Sequence, residues 1–147
     1  MKVRQNGQWK SLGGIDVGRF GNYTLLTPEM ISGTLGDTSQ RYIGTATHLI
    51  IDDSFPTNSL NSLFRDNQTL KSLVILTNKI TDMTNIFNSI GSQFESLFIN
   101  TSKVTDMTSM FNGSQATIGY ARTQADADRF NASSGKPAGL VFVVKGT

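Results

Sequence analysis

Lys79-Ile-Thr-Asp-Met-Thr-Asn-Ile-Phe87 is followed, 24 residues on, by Lys103-Val-Thr-Asp-Met-Thr-Ser-Met-Phe111, and six of the nine positions are identical. A fixed period of this size marks an array of repeated units, each too small to bury its own apolar face except against its neighbours. It points to a protein that binds or builds rather than one that catalyses.

Working outward, a strand-like run precedes each copy. Thr47-His-Leu-Ile-Ile-Asp52, Lys71-Ser-Leu-Val-Ile-Leu76 and Glu95-Ser-Leu-Phe-Ile-Asn100 place Leu49, Leu73 and Leu97 in one column at spacings of 24, and Ile51, Ile75 and Ile99 in another. After each run comes a second apolar group: Leu60, Leu63 and Phe64; then Ile80, Met83, Ile86 and Phe87; then Val104, Met107, Met110 and Phe111. Spacings of three and four predict a short helix for each group. Thr81 and Thr105 stand where a hydroxyl could cap that helix, with Asp82 and Asp106 suited to its dipole. The first unit is a residue shorter and less regular, as terminal repeats tend to be.

The flanks depart from the period. Lys2-Val-Arg-Gln5, Asn6-Gly7 and Gln8-Trp-Lys-Ser-Leu12 read as a hairpin, because Asn-Gly accepts the positive φ angles of a type I′ turn. Val3 and Trp9 are expected on one face. Gly13, Gly14, Gly18 and Gly21 predict an irregular stretch. Tyr23-Thr-Leu-Leu26 reads as a strand, Pro28-Glu-Met-Ile31 as one helical turn capped by Thr27, and 33–40 as a loop. At the other end Ala116-Thr-Ile-Gly-Tyr-Ala121 and Leu140-Val-Phe-Val-Val144 read as strands around a helix that opens at Thr123-Gln-Ala-Asp126. This strand–helix–strand piece would close the open end of the array, which otherwise leaves apolar side chains and strand edges in water. The expected division is a β-rich attachment and capping segment over 1–45 and the repeats with their C-terminal cap over 46–147.

Composition excludes several classes. In 147 residues only 16% are charged, the net charge is +2, and Lys and Arg are scattered singly; this balance gives no reason to expect nucleic acid or an anionic membrane. There is no cysteine, so disulfides, thiolate catalysis and zinc–thiolate sites are ruled out. Met1-Lys-Val-Arg-Gln-Asn-Gly7 has no apolar run behind its basic residues and does not read as a signal peptide, and no stretch is long enough to span a bilayer. Such a chain is expected to be made in a cytoplasm and to stay soluble.

The core Val/Ile-Thr-Asp-Met-Thr/Ser-x-Met/Ile-Phe, written at 79–87 and 103–111, resembles the BspA-like leucine-rich repeat of bacterial surface proteins. Gly119-Tyr-Ala-Arg-Thr-Gln-Ala-Asp-Ala-Asp-Arg-Phe-Asn131, with Pro137 and Leu140-Val-Phe142, is similar to the segment that often ends such arrays. The likeness covers about residues 70–145. It implies a non-enzymatic binding or adhesion module. The opening Lys2-Val-Arg-Gln-Asn-Gly-Gln-Trp9 is similar to short hairpins that begin many bacteriophage tail, fibre and head-decoration proteins. That second likeness accounts for the lack of an export signal, because virion proteins assemble in the host cytoplasm and leave by lysis.

No residue set reads as catalytic. His48 is the single histidine, which cannot build a histidine metal site, and no Gly-x-Ser-x-Gly elbow accompanies it. Gly135-Lys136 lacks the Ser or Thr of a phosphate loop, since Pro137 follows. Asp126 and Asp128 lack a further oxygen ligand at 130, where Phe stands, and read as solvated helix carboxylates. Asp52-Asp53 reads as a turn, and Met83, Met107 and Met110 read as core. No metal and no cofactor are expected.

The expected fold is therefore α/β: a short leucine-rich-repeat solenoid of about three 24-residue rungs, with a β-rich N-terminal segment and a strand–helix–strand C-terminal cap. Side chains on a strand alternate faces. With the leucine and isoleucine columns inward, Ile50, Val74 and Phe98 form an outward column, flanked by His48, Ser72 and Ser96 on one side and Asp52, Leu76 and Asn100 on the other. An outward apolar column needs cover. Two covers stay open, the N-terminal segment of the same chain or a partner, and a one-residue slip in phase would exchange the faces. On the partner reading these nine residues bind, and Val3, Arg4 and Trp9 attach the chain to a virion. The expected function is a non-enzymatic structural protein of a bacteriophage virion in a fibre, tail or head-decoration role. Its partners would be other virion proteins, copies of itself in a homo-oligomer, or a host-surface protein or glycan, with neither nucleic acid nor membrane. The alternative is a bacterial cell-surface adhesion module binding a host protein or glycan.

Overall fold

A computed structural model describes Arg4–Gln5, Gln8–Trp9 and residues 22–145. The chain is mixed α/β. Strands β3 (Thr24–Leu25), β6 (His48–Ile51), β7 (Ser72–Ile75), β8 (Ser96–Ile99), β9 (Ile118–Ala121) and β10 (Val141–Val144) form one six-stranded sheet in the order β10-β9-β8-β7-β6-β3, every neighbouring pair parallel. The single helix among the described residues, α1, spans Gln124–Asn131. The strands β1 (Arg4–Gln5) and β2 (Gln8–Trp9) pair antiparallel, and β4 (Ile31–Ser32) pairs with β5 (Arg41–Tyr42). In the hairpin Arg4 stands opposite Trp9; Val3 and the glycines 13, 14, 18 and 21 lie outside the described residues.

The 24-residue spacing becomes register. Leu49 pairs with Leu73 and Leu73 with Leu97, and the Ile51, Ile75 and Ile99 column is equally aligned. Both columns belong to the main core. Within it, Phe64, Phe87 and Phe111 lie nearly parallel, with ring centroids 5.9 and 5.5 Å apart. Tyr42 meets one end of this column, and Phe130 and Phe142 the other.

The helices predicted after each strand are absent from the described residues. Those segments are turns. Ser62, Asn85 and Ser109 take positive φ, and four residues later so do Asp66, Ser89 and Gly113. Alternate amides bond backwards within a unit, as Ile86 N–H does to Met83 O (3.2 Å) and Asn88 N–H to Asn85 O (3.1 Å). The amides between them bond to the next unit: Met83 N–H to Asp106 O (2.8 Å), Asn85 N–H to Thr108 O (3.1 Å), Phe87 N–H to Met110 O (2.9 Å). A helix would consume all these donors internally. The turns keep the three-and-four apolar spacing while leaving half the amides to join the units. Small polar residues at the left-handed positions make this affordable, since they tolerate αL better than branched ones. Asp82 and Asp106 fit the turn differently from a helix dipole: their Oδ1 atoms accept the N–H of Thr84 (2.9 Å) and Thr108 (3.0 Å). Thr27 likewise makes no side-chain cap to the 3-10 turn Pro28–Met30.

Side-chain amides close the first end of this ladder and the far edge of the sheet. At the first unit, Gln40 is fully buried, and its Nε2 donates to the carbonyls of Ser59 (3.1 Å) and Asn61 (3.0 Å) while Gly36 N–H donates to its Oε1 (2.9 Å). Tyr42 N–H takes the next carbonyl, that of Leu63 (2.9 Å). Gln40 thus supplies the donors that a preceding unit would supply. Replacing Gln40 with leucine leaves two carbonyls without these donors and is expected to cost about 2–4 kcal/mol, measured by urea unfolding.

At the other end β10 is the sheet edge. Asn131, the last residue of α1, donates Nδ2–H to Phe142 O (3.0 Å) and accepts Phe142 N–H on Oδ1 (2.8 Å). One carboxamide so occupies both edge-facing groups of the central β10 residue. Open edges are templates for pairing with other chains, so Asn131→Leu is expected to raise concentration-dependent self-association, read by light scattering. Gly119 lies beneath Phe142, where a Cβ would stand 2.4 Å from the ring. The cap helix begins as its sequence suggests, with Thr123 Oγ1 accepting Asp126 N–H (3.2 Å). Asp126, however, is not solvated: it is 2% exposed and joins the cap to the third unit, as described below.

Candidate functional site

The outer face of the sheet carries the residues proposed from sequence to bind a partner. The inside-outside phase is as expected: Ile50, Val74, Leu76 and Phe98 form a cluster separate from the main core. The face is nevertheless closed. Ile50 and Val74 are 0% exposed, Leu76 2% and Phe98 3%. Tyr23 and Leu25, from the segment before the repeats, and Tyr120, from β9, pack against them. The physical reason is visible in the strands, whose runs Leu-Ile-Ile, Leu-Val-Ile and Leu-Phe-Ile are unbroken by polar residues; a parallel sheet buried on both faces reads this way.

The flanking columns are also engaged internally. Ser72 and Ser96 are buried, Ser96 Oγ donates to Ser72 Oγ (2.6 Å), and the Tyr23 hydroxyl lies 2.8 Å from Ser72 Oγ. His48 is half-buried, edge-on to Tyr23 (5.0 Å between centroids), with Nδ1 2.8 Å from Thr47 Oγ1. Asp52 Oδ1 accepts Ser54 N–H (2.9 Å), and Asn100 Oδ1 caps a 3-10 turn at Ser102 N–H (3.0 Å). The nine residues are brought together, but as a second core with turn caps at its margin rather than as an open surface. Arg4 and Trp9, assigned to attachment, are described only as backbone of the hairpin, and Val3 lies outside the described residues.

Ile43, just after β5, is 62% exposed, and the other exposed large apolar side chains lie on the last two strands. Ile118 (43% exposed) is paired with Val141 (50%), and Val143 (43%) with the half-buried Tyr120. Ile118, Tyr120, Val141 and Val143 alternate with the buried Phe142 and so share the outer face of the last two strands. Lys145 Nζ sits 4.8 Å from the centroid of the Tyr120 ring at its margin. Sequence reading did not single out this patch. Its signal is the alternation of Val141, Phe142 and Val143, and the patch exists only because β9 and β10 are adjacent.

Titratable groups do not gather around it. Asp106 has its carboxyl held below the ordinary range, chiefly by the Thr108 N–H, with the hydroxyls of Thr108 and Thr84 adding to it. Asp37 is lowered by the Ser39 hydroxyl and N–H, and Glu29 by its backbone hydrogen bond and the Thr27 hydroxyl. Each is a separate carboxylate in a local turn. Among the described residues no group of three His, Asp or Glu side chains is placed to hold a metal ion, and no helix is long and apolar enough to cross a membrane. No family model matches the chain, and no curated protein or solved structure is significantly similar to it.

Proposed function

We propose that the chain is a short leucine-rich-repeat solenoid of the BspA-like kind, serving as a non-enzymatic structural protein of a bacteriophage virion in a fibre, tail or head-decoration role. The observation that carries this reading is the apolar patch of Ile118, Val141 and Val143, left open on a sheet whose outer face is otherwise buried. An assembly component needs a contact of this kind, and clustered exposed apolar side chains mark interaction sites. The in-register 24-residue units support the repeat reading. The Arg4–Gln5 and Gln8–Trp9 pair, a sheet of its own, supports an N-terminal attachment hairpin.

Because Asn131 occupies the middle of the β10 edge, the contact runs across the face of β9 and β10 rather than by strand addition. The partner is a copy of the chain or another virion protein. Wild-type protein is expected to form concentration-dependent oligomers in sedimentation velocity, whereas Val141→Asp with Val143→Asp gives a monomer with unchanged circular dichroism. A wild-type chain that stays monomeric at high concentration, and is not found in purified particles, would overturn the reading. The second reading, a bacterial cell-surface adhesion module, is favoured by the motif at 79–87 and 103–111. It is tested by binding of the monomer to host proteins and glycans.

A further inference from the structure

The turn-side ladder stops at the third unit, and it stops beside a reactive side chain. Asp66 N–H donates to Asn88 O (2.9 Å) and Ser89 N–H to Asn112 O (2.8 Å). Gly113 takes the same place in the third unit, with φ 71° where Asp66 has 61° and Ser89 57°. The chain then runs on to β9 and α1, and among the described residues Gly113 N–H has no acceptor. The residues preceding these three amides are Arg65, Asn88 and Asn112. Asn88 is held on both sides: its Oδ1 accepts the Ser89 hydroxyl (3.0 Å) and its Nδ2 donates to Asn85 Oδ1 (3.4 Å). The Asn112 carboxamide makes no hydrogen bond among the described residues, and Asn112 and Gly113 are both exposed.

The backbone nitrogen that follows an asparagine can attack the Cγ of that side chain and close a cyclic imide. The attack needs a nitrogen not tied up in a hydrogen bond and a carboxamide free to turn onto it. It also needs an uncrowded approach, which glycine gives because it has no Cβ. Asn112 and Gly113 meet all three conditions. Asn88 and Ser89, the matching pair one unit earlier, meet none, because the ladder and the side-chain bonds hold both groups.

We propose that Asn112 is a site of spontaneous modification in the folded chain. Gly113 N gives its proton to hydroxide and bonds Asn112 Cγ. The bond from Cγ to the side-chain nitrogen breaks, and that nitrogen takes a proton from water and leaves as ammonia. Water then opens the succinimide at one carbonyl to give aspartate, or at the other to give isoaspartate. The net change is carboxamide and water to carboxylic acid and ammonia, with no oxidant or cofactor. Because Asn112 O accepts Ser89 N–H, the isoaspartate product, whose main chain is longer by a carbon, falls on a bond that joins the second and third units. This inference stands independently of the virion reading.

It is tested by ageing the folded full chain at mildly alkaline pH and mapping the products residue by residue with mass spectrometry, isoaspartate being told from aspartate by electron-transfer fragmentation. Mapping keeps Asn112 apart from Asn6, which also precedes a glycine. Asn112 is expected to convert, faster as pH rises, and in the folded chain at a rate within a few-fold of that in urea. An amide whose reaction required opening of the core would instead be slowed by orders of magnitude. Ser89→Gly separates the ladder from the local sequence: it sets a glycine after Asn88 while the amide at 89 keeps its bond to Asn112 O. In that folded variant Asn88 should react at least about tenfold more slowly than Asn112, and the two rates should converge in urea. Equal rates at Asn88 and Asn112 in the folded variant would overturn the proposal. So would an Asn112 that stays intact in folded wild-type protein while it converts in urea, a comparison that needs no variant.

Discussion

Phe87→Ala is expected to cost about 3–5 kcal/mol, a large fraction of the roughly 5–15 kcal/mol that holds a domain together. Phe87 is fully buried and touches rings on three sides: Phe64 at 5.9 Å, Phe111 at 5.5 Å and Phe94 at 4.5 Å between centroids. Its backbone N–H donates to Met110 O and its carbonyl accepts Ile90 N–H, so the local turn cannot collapse into the cavity without breaking the ladder between units. The loss should appear as a drop in melting temperature of roughly 10–15 °C for a chain of this size. A fall of only two or three degrees would mean that the neighbouring units close up over the gap.

Asp126→Asn is expected to be nearly as damaging, although the side chain keeps its shape. Oδ1 accepts Thr101 N–H (3.0 Å) and the Thr101 hydroxyl (2.7 Å); Oδ2 accepts Arg122 Nε–H (3.1 Å) and the Thr123 hydroxyl (2.8 Å), with Arg122 NH2 at 3.0 Å. Every one of these partners donates. An amide puts two hydrogens where two to three of them point and removes the charge facing Arg122. Losing one member of a buried ion pair costs about 3–5 kcal/mol. Thr101 follows β8 while Arg122 and Thr123 follow β9, so the carboxylate fastens the cap to the last repeat. The variant should therefore lose hydrogen-exchange protection first in β9, α1 and β10 and only later in β6 and β7. Uniform loss across the sheet would place the Asp126 cluster in the global core instead.

What could be read from sequence followed the distance over which the determining contacts act. Leu49, Leu73 and Leu97 announced their own register because the period repeats the same neighbour. The turns were misread as helices because Met83, Ile86, Phe87 and Ile90 satisfy both geometries. The discriminating residues were the small polar ones, Asn85 and Ser89, recurring as Ser62 and Asp66 in the first unit. The burial of Ile50, Val74 and Phe98 was legible in the absence of polar residues between the inward columns. What stayed open was whether the N-terminal segment or a partner supplies the cover; Tyr23 and Leu25 of the same chain pack there. Asp126 was taken for a solvated carboxylate because Thr101, its deepest partner, stands 25 residues away. Nothing at Ile118 or Val141 announces a shared patch until their strands are known to be neighbours.

Gln40 acts only on whichever unit happens to stand first, and Asn131 only on the cap strand β10 beyond the last unit. Neither side chain reads the number of units between them. An extra copy of residues 71–94 could be spliced in before Glu95 without redesigning either terminus, and each would lengthen the molecule by about 4.8 Å, one strand spacing. Reach is thus adjustable by duplication alone, as it is in a ruler cut from identical tiles.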